Sequence, residues 1–227
     1  MTVSSDIQTR TWPDPAALLT LIKPVTWFPP MWAFLCGIVS AGVWPADWSL
    51  VILGVLLAGP IVCGMSQAAN DWCDRHVDAI AAWAYSAKPV RLKRAGWWGP
   101  GLVGLSYETL PWITGAAILT TGAPAFEVVT IAVLYGLGAH GIMTLNDFKA
   151  LQGDRATGLR SLPVVLGPEV AAKIACVGMV LPQTLVISML FVWGKPLHAM
   201  AILALLGAQI LAMRVLLRDP KGRAPWY

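Results

Sequence analysis

Asn70-Asp71-Trp72-Cys73-Asp74-Arg75-His76-Val77-Asp78 closes an apolar run with three carboxylates spaced for one helix face. At ~100° per residue, Asp71, Asp74 and Asp78 fall within about 60° of arc and would face one another. Carboxylates so placed repel unless a cation lies between them, and hard divalent cations such as Mg2+ take oxygen ligands that they share with substrate phosphates. The stretch reads as a metal-diphosphate site; the plainer alternative is a solvated charged loop after a membrane helix. A second stretch, Asn146-Asp147-Phe148-Lys149-Ala150-Leu151-Gln152-Gly153-Asp154-Arg155, again opens with Asn-Asp after a long apolar run. Its two aspartates lie seven apart, on one face if the segment is helical. Together the clusters point to one chemistry.

The elements that must position these motifs follow from composition. With 57% hydrophobic and 12% charged residues and a mean hydropathy of +0.65, the chain departs far from soluble domains and reads as an integral membrane protein. Its fold class is all-α, a polytopic transmembrane helical bundle. Apolar runs at 25–43, 50–70, 99–121, 125–146, 169–193 and 197–217 give six complete candidate helices, each long enough to span. A stub beginning at Ala81 is too short to cross. Residues 1–227 form one domain, of which 1–23 is a cytoplasmic N-terminal segment without the basic-then-apolar order of a signal peptide. Pro29-Pro30, Pro60, Pro111 and Pro182 are expected to kink or delay helices. Most tryptophans, Trp112 among them, sit near run ends as interfacial belt residues. Cys36, Cys63, Cys73 and Cys176 lack metal-ligand spacing and read as packing residues.

Of the 16 Lys and Arg, only Lys195 falls in a loop that alternation places opposite the N-terminus. The positive-inside rule therefore makes both acidic motifs cytoplasmic. The basic residues border spans and build no soluble basic domain, which rejects nucleic acid as a partner. Lys88, Arg91 and Lys93 either anchor the membrane face or clamp a leaving diphosphate. Glu108 is an acid within a span, and such a group faces a cavity or a partner. His140 is open to two readings, a hydrogen-bonded place in the core or a role near the second motif.

These residues resemble the UbiA superfamily of intramembrane prenyltransferases, and within it the chlorophyll and bacteriochlorophyll synthases. The resemblance runs almost end to end. It is carried by Asn70 to Asp78, Tyr85-Ser86 with Pro89 and Leu92-Lys93, Leu110-Pro111-Trp112, Asn146-Asp147-Phe148-Lys149, Gly153-Asp154-Arg155 and Ser161-Leu162-Pro163-Val164. It implies Mg2+ held by Asp71, Asp74, Asp78, Asp147 and Asp154, with Asp71, Asp74 and Asp147 catalytic. It further implies a diphosphate bound by Asn70, Asn146, Lys88, Arg91, Lys93, Lys149 and Arg155, and an acceptor pocket touching Tyr85, Tyr107, Glu108 and His140. The partners would be a prenyl diphosphate, a chlorophyllide or bacteriochlorophyllide, and the lipid bilayer. The place would be a bacterial inner, photosynthetic membrane, with the active site on its cytoplasmic side. Relative to the family pattern the chain lacks the third helix and most of the fourth between Ile80 and Ala81, and a last helix after Trp226-Tyr227; Gln152 stands where an acid is common. An aromatic prenyltransferase of quinone or haem biosynthesis is the competing enzyme. A transporter coupled to cytoplasmic acids and a non-catalytic membrane scaffold are the alternatives of other classes.

Overall fold

The computed structural model describes residues 19, 22–63, 96–120 and 123–224, and every regular element in that part of the chain is helical. The first acidic motif, the stub, the basic residues 88–93 and the join at Ile80–Ala81 lie outside the described residues. A 3-10 turn, Pro24–Thr26, leads into α1, Phe28–Ser40. Pro29 and Pro30 stand in the first turn of α1, where the missing N–H groups would have had no helical partner. They start the helix at Phe28, three residues into the apolar run, which is the delay rather than the kink.

Asp47 caps α2, Trp48–Leu56, by accepting from the Ser49 amide and hydroxyl, both at 2.8 Å. This helix widens into a π turn, Leu57–Cys63, around Pro60. The same device recurs where α3, Trp98–Gly104, passes through a π segment, Leu105–Thr109, into α4, Leu110–Ala117. Pro111 has no N–H for the carbonyl four residues back, and the widened turn before it accommodates the break. The remaining elements are α5, Phe126–Asn146; a 3-10 turn, Asp147–Ala150; α6, Leu151–Thr157; α7, Leu162–Leu166; α8, Pro168–Val192; α9, Pro196–Leu216; and α10, Pro220–Arg223. Pro182 sits inside α8 without ending it.

Three of the described helices are long and apolar enough to cross a membrane: Phe126–Ala156, Pro168–Val192 and Pro196–Leu216. Their outward side chains, such as Val192 at 85% exposure and Leu197 at 82%, are those that lipid would cover. α5 is the centre of the bundle, packing on α8 along one side and on α3 with its π segment along another. The approaches are close because small residues lie at the contacts. A Cβ on Gly141 would meet the carbonyl of Ala175 and come within 2.6 Å of Met179 Cγ. Gly37 and Gly115 likewise bring α1 and α4 together, against the carbonyls of Trp112 and Phe34.

Polar links add to this packing. Gln183 Nε2 donates to Gln209 Oε1 at 2.6 Å between α8 and α9. Trp112 is half-buried: its Nε1 donates to Ser40 Oγ at 2.9 Å, and its ring lies 5.3 Å from that of Tyr135. It joins α1, α4 and α5 inside the bundle. Cys36, Cys63 and Cys176 are free thiols, in keeping with packing roles.

Gly141→Leu is expected to destabilise the bundle by about 1–3 kcal/mol or more through overpacking. Gly138→Leu, on the same helix with nothing within 4 Å of its Cβ position, should be nearly neutral. Thermal unfolding of the two variants in detergent checks this; equal loss in both would show that close α5–α8 contact does not limit stability.

Candidate active site

α5 does not end at a glycine. It tightens at Asp147 into a 3-10 turn and resumes as α6, so the chain keeps a helical course through the second acidic motif. Phe148 and Leu151, 6% and 4% exposed, point into the apolar core. Asp147, Ala150 and Asp154, at i, i+3 and i+7, line the adjoining face, on a cavity of about 180 Å³. The core thus anchors one edge of the segment and aims its two carboxylates together.

Gly158 takes the left-handed conformation at φ 70° that ends α6, and the Leu159 amide donates to the Asp154 carbonyl at 2.8 Å. This reversal brings Ser161 back to the motif. Ser161 stands in the N-cap position of α7 but does not cap it. Its hydroxyl, 5% exposed with its residue, donates instead to Asp154 Oδ2 at 2.7 Å. The far wall of the cavity is the turn from Gly96 to Pro100. The Gly96 amide donates to the Arg160 carbonyl at 3.0 Å. A Cβ at Gly96 would stand 2.6 Å from both Arg160 O and Leu162 N, so only glycine lets this wall close on the loop.

Two carboxylates on one small cavity repel each other, and a divalent cation is the simplest relief. Among the described residues no group of three or more His, Cys, Asp or Glu is placed to hold an ion. A cation at this pair would complete its shell with phosphate, water or groups from outside the described residues. The donor set, two hard oxygen ligands and one of them held in place by a hydroxyl, fits Mg2+.

The other candidates fall in different places. Asn146, Lys149 and Arg155 are exposed and none lines the cavity. His140 precedes Asp147 by about two turns on the same face of α5. It is half-buried, with Nε2 2.8 Å from the Trp97 carbonyl and its ring 4.5 Å from the Trp97 ring. It is hydrogen-bonded there, on the face of α5 that leads to the second motif, which leaves both readings of it open. Tyr107 and Glu108 lie in the π segment, roughly 10–15 Å further along the helix than Gly99 and Pro100. Tyr107 Oη accepts from Cys63 Sγ at 3.4 Å. Asn70, Asp71, Asp74, Asp78, Tyr85, Lys88, Arg91 and Lys93 lie outside the described residues. Sequence reasoning missed Ser161, Gly96, Gly99 and Pro100 as site residues; Ser-Leu-Pro reads as an ordinary helix start, and nothing local ties Gly96 to a segment 60 residues later.

The UbiA prenyltransferase family model matches residues 79–227. The bacteriochlorophyll synthase 33 kDa chain of Cereibacter sphaeroides is 56% identical, across all of this chain and 91% of the relative. That of Rhodobacter capsulatus is 55% identical, across 96% of this chain and 89% of the relative. The chloroplastic chlorophyll synthase of Arabidopsis thaliana is 35% identical, across 89% and 67%. The first of these alignments runs to 276 positions against 227 residues here, so at least 49 positions of the relative stand opposite no residue of this chain. No solved structure matches the chain.

Ser161→Ala should leave the fold intact and lower affinity for Mg2+ about 10–100-fold, because Asp154 loses the group that orients it. Titrating Mg2+ against the purified variant tests this; unchanged affinity would separate Ser161 from cation binding. Gly96→Val should distort the cavity wall and give a comparable loss with the carboxylates still present.

Proposed function

Because the chain belongs to the UbiA prenyltransferase family, we propose that it transfers a prenyl group from its diphosphate to the propionate carboxylate of a chlorophyllide or bacteriochlorophyllide. This is the last step of pigment synthesis, and the Asp147–Asp154 cavity is its diphosphate end. The protein is an integral membrane enzyme, a prenyltransferase. The observation that carries the reading is one cavity shared by Asp147 and Asp154, in a chain 56% identical to a bacteriochlorophyll synthase.

Asp147 and Asp154 would hold Mg2+ together with Asp71, Asp74 and Asp78 of the first motif, with Asn70, Lys88, Arg91 and Lys93 around the diphosphate; Asn146, Lys149 and Arg155, which do not line the cavity, would act on it only from its outer margin. When bound, Mg2+ neutralises the charge that develops on the departing diphosphate. In the transfer, a propionate oxygen forms a bond to C1 of the prenyl chain as the bond from C1 to the diphosphate oxygen breaks, and pyrophosphate leaves with the electron pair. A propionate is already ionised at neutral pH, so no strong general base is needed. The apolar helices exclude water from the allylic carbon and give the tail and macrocycle access from the bilayer. Ser161 holds Asp154 in place; Tyr85, Tyr107, Glu108 and His140 belong to the acceptor side.

The site faces the cytoplasmic side of a bacterial inner, photosynthetic membrane, on the strength of the charge asymmetry between loops. We place the unmatched positions of the relative between Ile80 and Ala81. Their number suits two crossings of ~20 residues and a turn, and an even number of crossings keeps both acidic motifs on one side.

Membranes carrying the protein are expected to esterify chlorophyllide with geranylgeranyl or phytyl diphosphate and to leave 4-hydroxybenzoate unprenylated. Chelation should stop the reaction and Mg2+ restore it. Asp147→Asn should lower the rate by about a hundredfold or more while membrane insertion is unchanged. Prenylation of 4-hydroxybenzoate in place of chlorophyllide, or a full rate in Asp147→Asn, would overturn the reading.

A further inference from the structure

The ring of His140 is held in a way that leaves one nitrogen committed and the other available. A backbone carbonyl carries no proton, so at 2.8 Å from Trp97 O the nitrogen Nε2 must be the donor. In the neutral ring, Nδ1 then keeps its lone pair. The Cδ2–Nε2 edge faces α3, since a Cβ on Gly101 would lie 3.7 Å from Cδ2. The Nδ1 edge therefore points away from that contact, and among the described residues Nδ1 has no partner. An imidazole whose far N–H is fixed on a main-chain carbonyl is the arrangement by which proteins orient and strengthen a histidine for metal ligation.

Its position supplies the rest. Trp97 belongs to the turn whose neighbours Gly96, Gly99 and Pro100 wall the carboxylate cavity. Along α5, His140 is seven residues from Asp147, about 10 Å of helix rise and on the same face. That span is comparable to the reach from the centre of a tetrapyrrole to its propionate carboxyl. The exposed ring of Trp97, 4.5 Å from the imidazole, offers an aromatic surface beside it.

We propose that His140 Nδ1 is an axial ligand to the magnesium at the centre of the tetrapyrrole acceptor, setting the macrocycle so that its propionate reaches toward the Asp147–Asp154 cavity. This inference rests on the acceptor being a magnesium tetrapyrrole, as argued above. It makes His140 a binding residue that tells metallated from metal-free pigment, with no part in moving a proton.

The test uses the purified full chain in detergent with two probes, chlorophyllide and its metal-free counterpart pheophorbide. His140→Ala should weaken chlorophyllide binding at least about tenfold and leave pheophorbide binding within about twofold of wild type. Free imidazole should restore part of the lost chlorophyllide affinity. Should the variant fail to insert, the wild type decides: chlorophyllide, but not pheophorbide, should protect His140 from diethyl pyrocarbonate, read by mass spectrometry apart from His76 and His198. Equal loss for both pigments, no loss for either, or protection by both alike would overturn the ligand assignment. If wild type esterifies chlorophyllide and these signatures are absent, only His140 has been misassigned. If wild type neither binds nor esterifies any tetrapyrrole, the acceptor reading falls, and this inference with it.

Discussion

The close approach of α5 to the helices on both its sides is the constraint from which the rest of the structure follows. Lipid chains are as apolar as leucine, so burying apolar surface does not draw membrane helices together; fit and interhelical hydrogen bonds must do it. Gly141 lets α5 reach the backbone of α8, and Gly136 lets it meet Gly104 and Thr109 on the α3 side. With α5 fixed between those neighbours, the end of α5 is fixed too. Asp147, the first residue beyond it, inherits a defined position against the Gly96–Pro100 turn.

The carboxylates then stand at the end of α5 and beyond it rather than in its middle. An acid in the middle of an apolar bundle carries a large desolvation penalty. At the end of α5 the chain buries Phe148 and Leu151 as an anchor while Asp147 and Asp154 turn to a cavity. Ser161 restrains Asp154 through a hydroxyl taken from a helix cap. Restraint of this kind fixes the direction in which Asp154 offers its remaining oxygen.

Much of this was legible in the residues. The Asn-Asp opening after an apolar run and the seven-residue spacing placed Asp147 and Asp154 on one face, and the described structure brings them to one cavity. The apolar runs marked the helices, because length and hydropathy are local properties. What was not legible depends on distant pairings. Trp112 near a run end looks like a belt residue, yet its indole finds Ser40 across the bundle. Pro29 and Pro30 are open to a kink or a delayed start, and only the turn before them decides for the start. Ser161 and Gly96 matter only because Gly158 reverses the chain toward them, and no periodicity encodes that meeting. Asn146, Lys149 and Arg155, grouped with the motif by sequence, are exposed and stand off the cavity.

The choice between esterifying a carboxylate and alkylating an aromatic ring turns on proton balance. Alkylation of a ring carbon must finally shed a proton, and the site must supply a base to take it. Of the described residues that line the cavity, only Asp147 and Asp154 are titratable, and in the proposed reading both serve as cation ligands. A carboxylate occupied with a divalent cation is a poor base, because the cation competes for the same lone pairs. His140, the nearest described imidazole on that face of α5 and about two turns from Asp147, donates from Nε2 to the Trp97 carbonyl, and the inference above gives its Nδ1 lone pair to the magnesium of the acceptor. A propionate brings its own charge, needs no base, and would be drawn toward a cation held by the two aspartates. An ester product therefore asks less of the described cavity residues than a ring product does, since only the latter needs a proton acceptor besides the cation ligands.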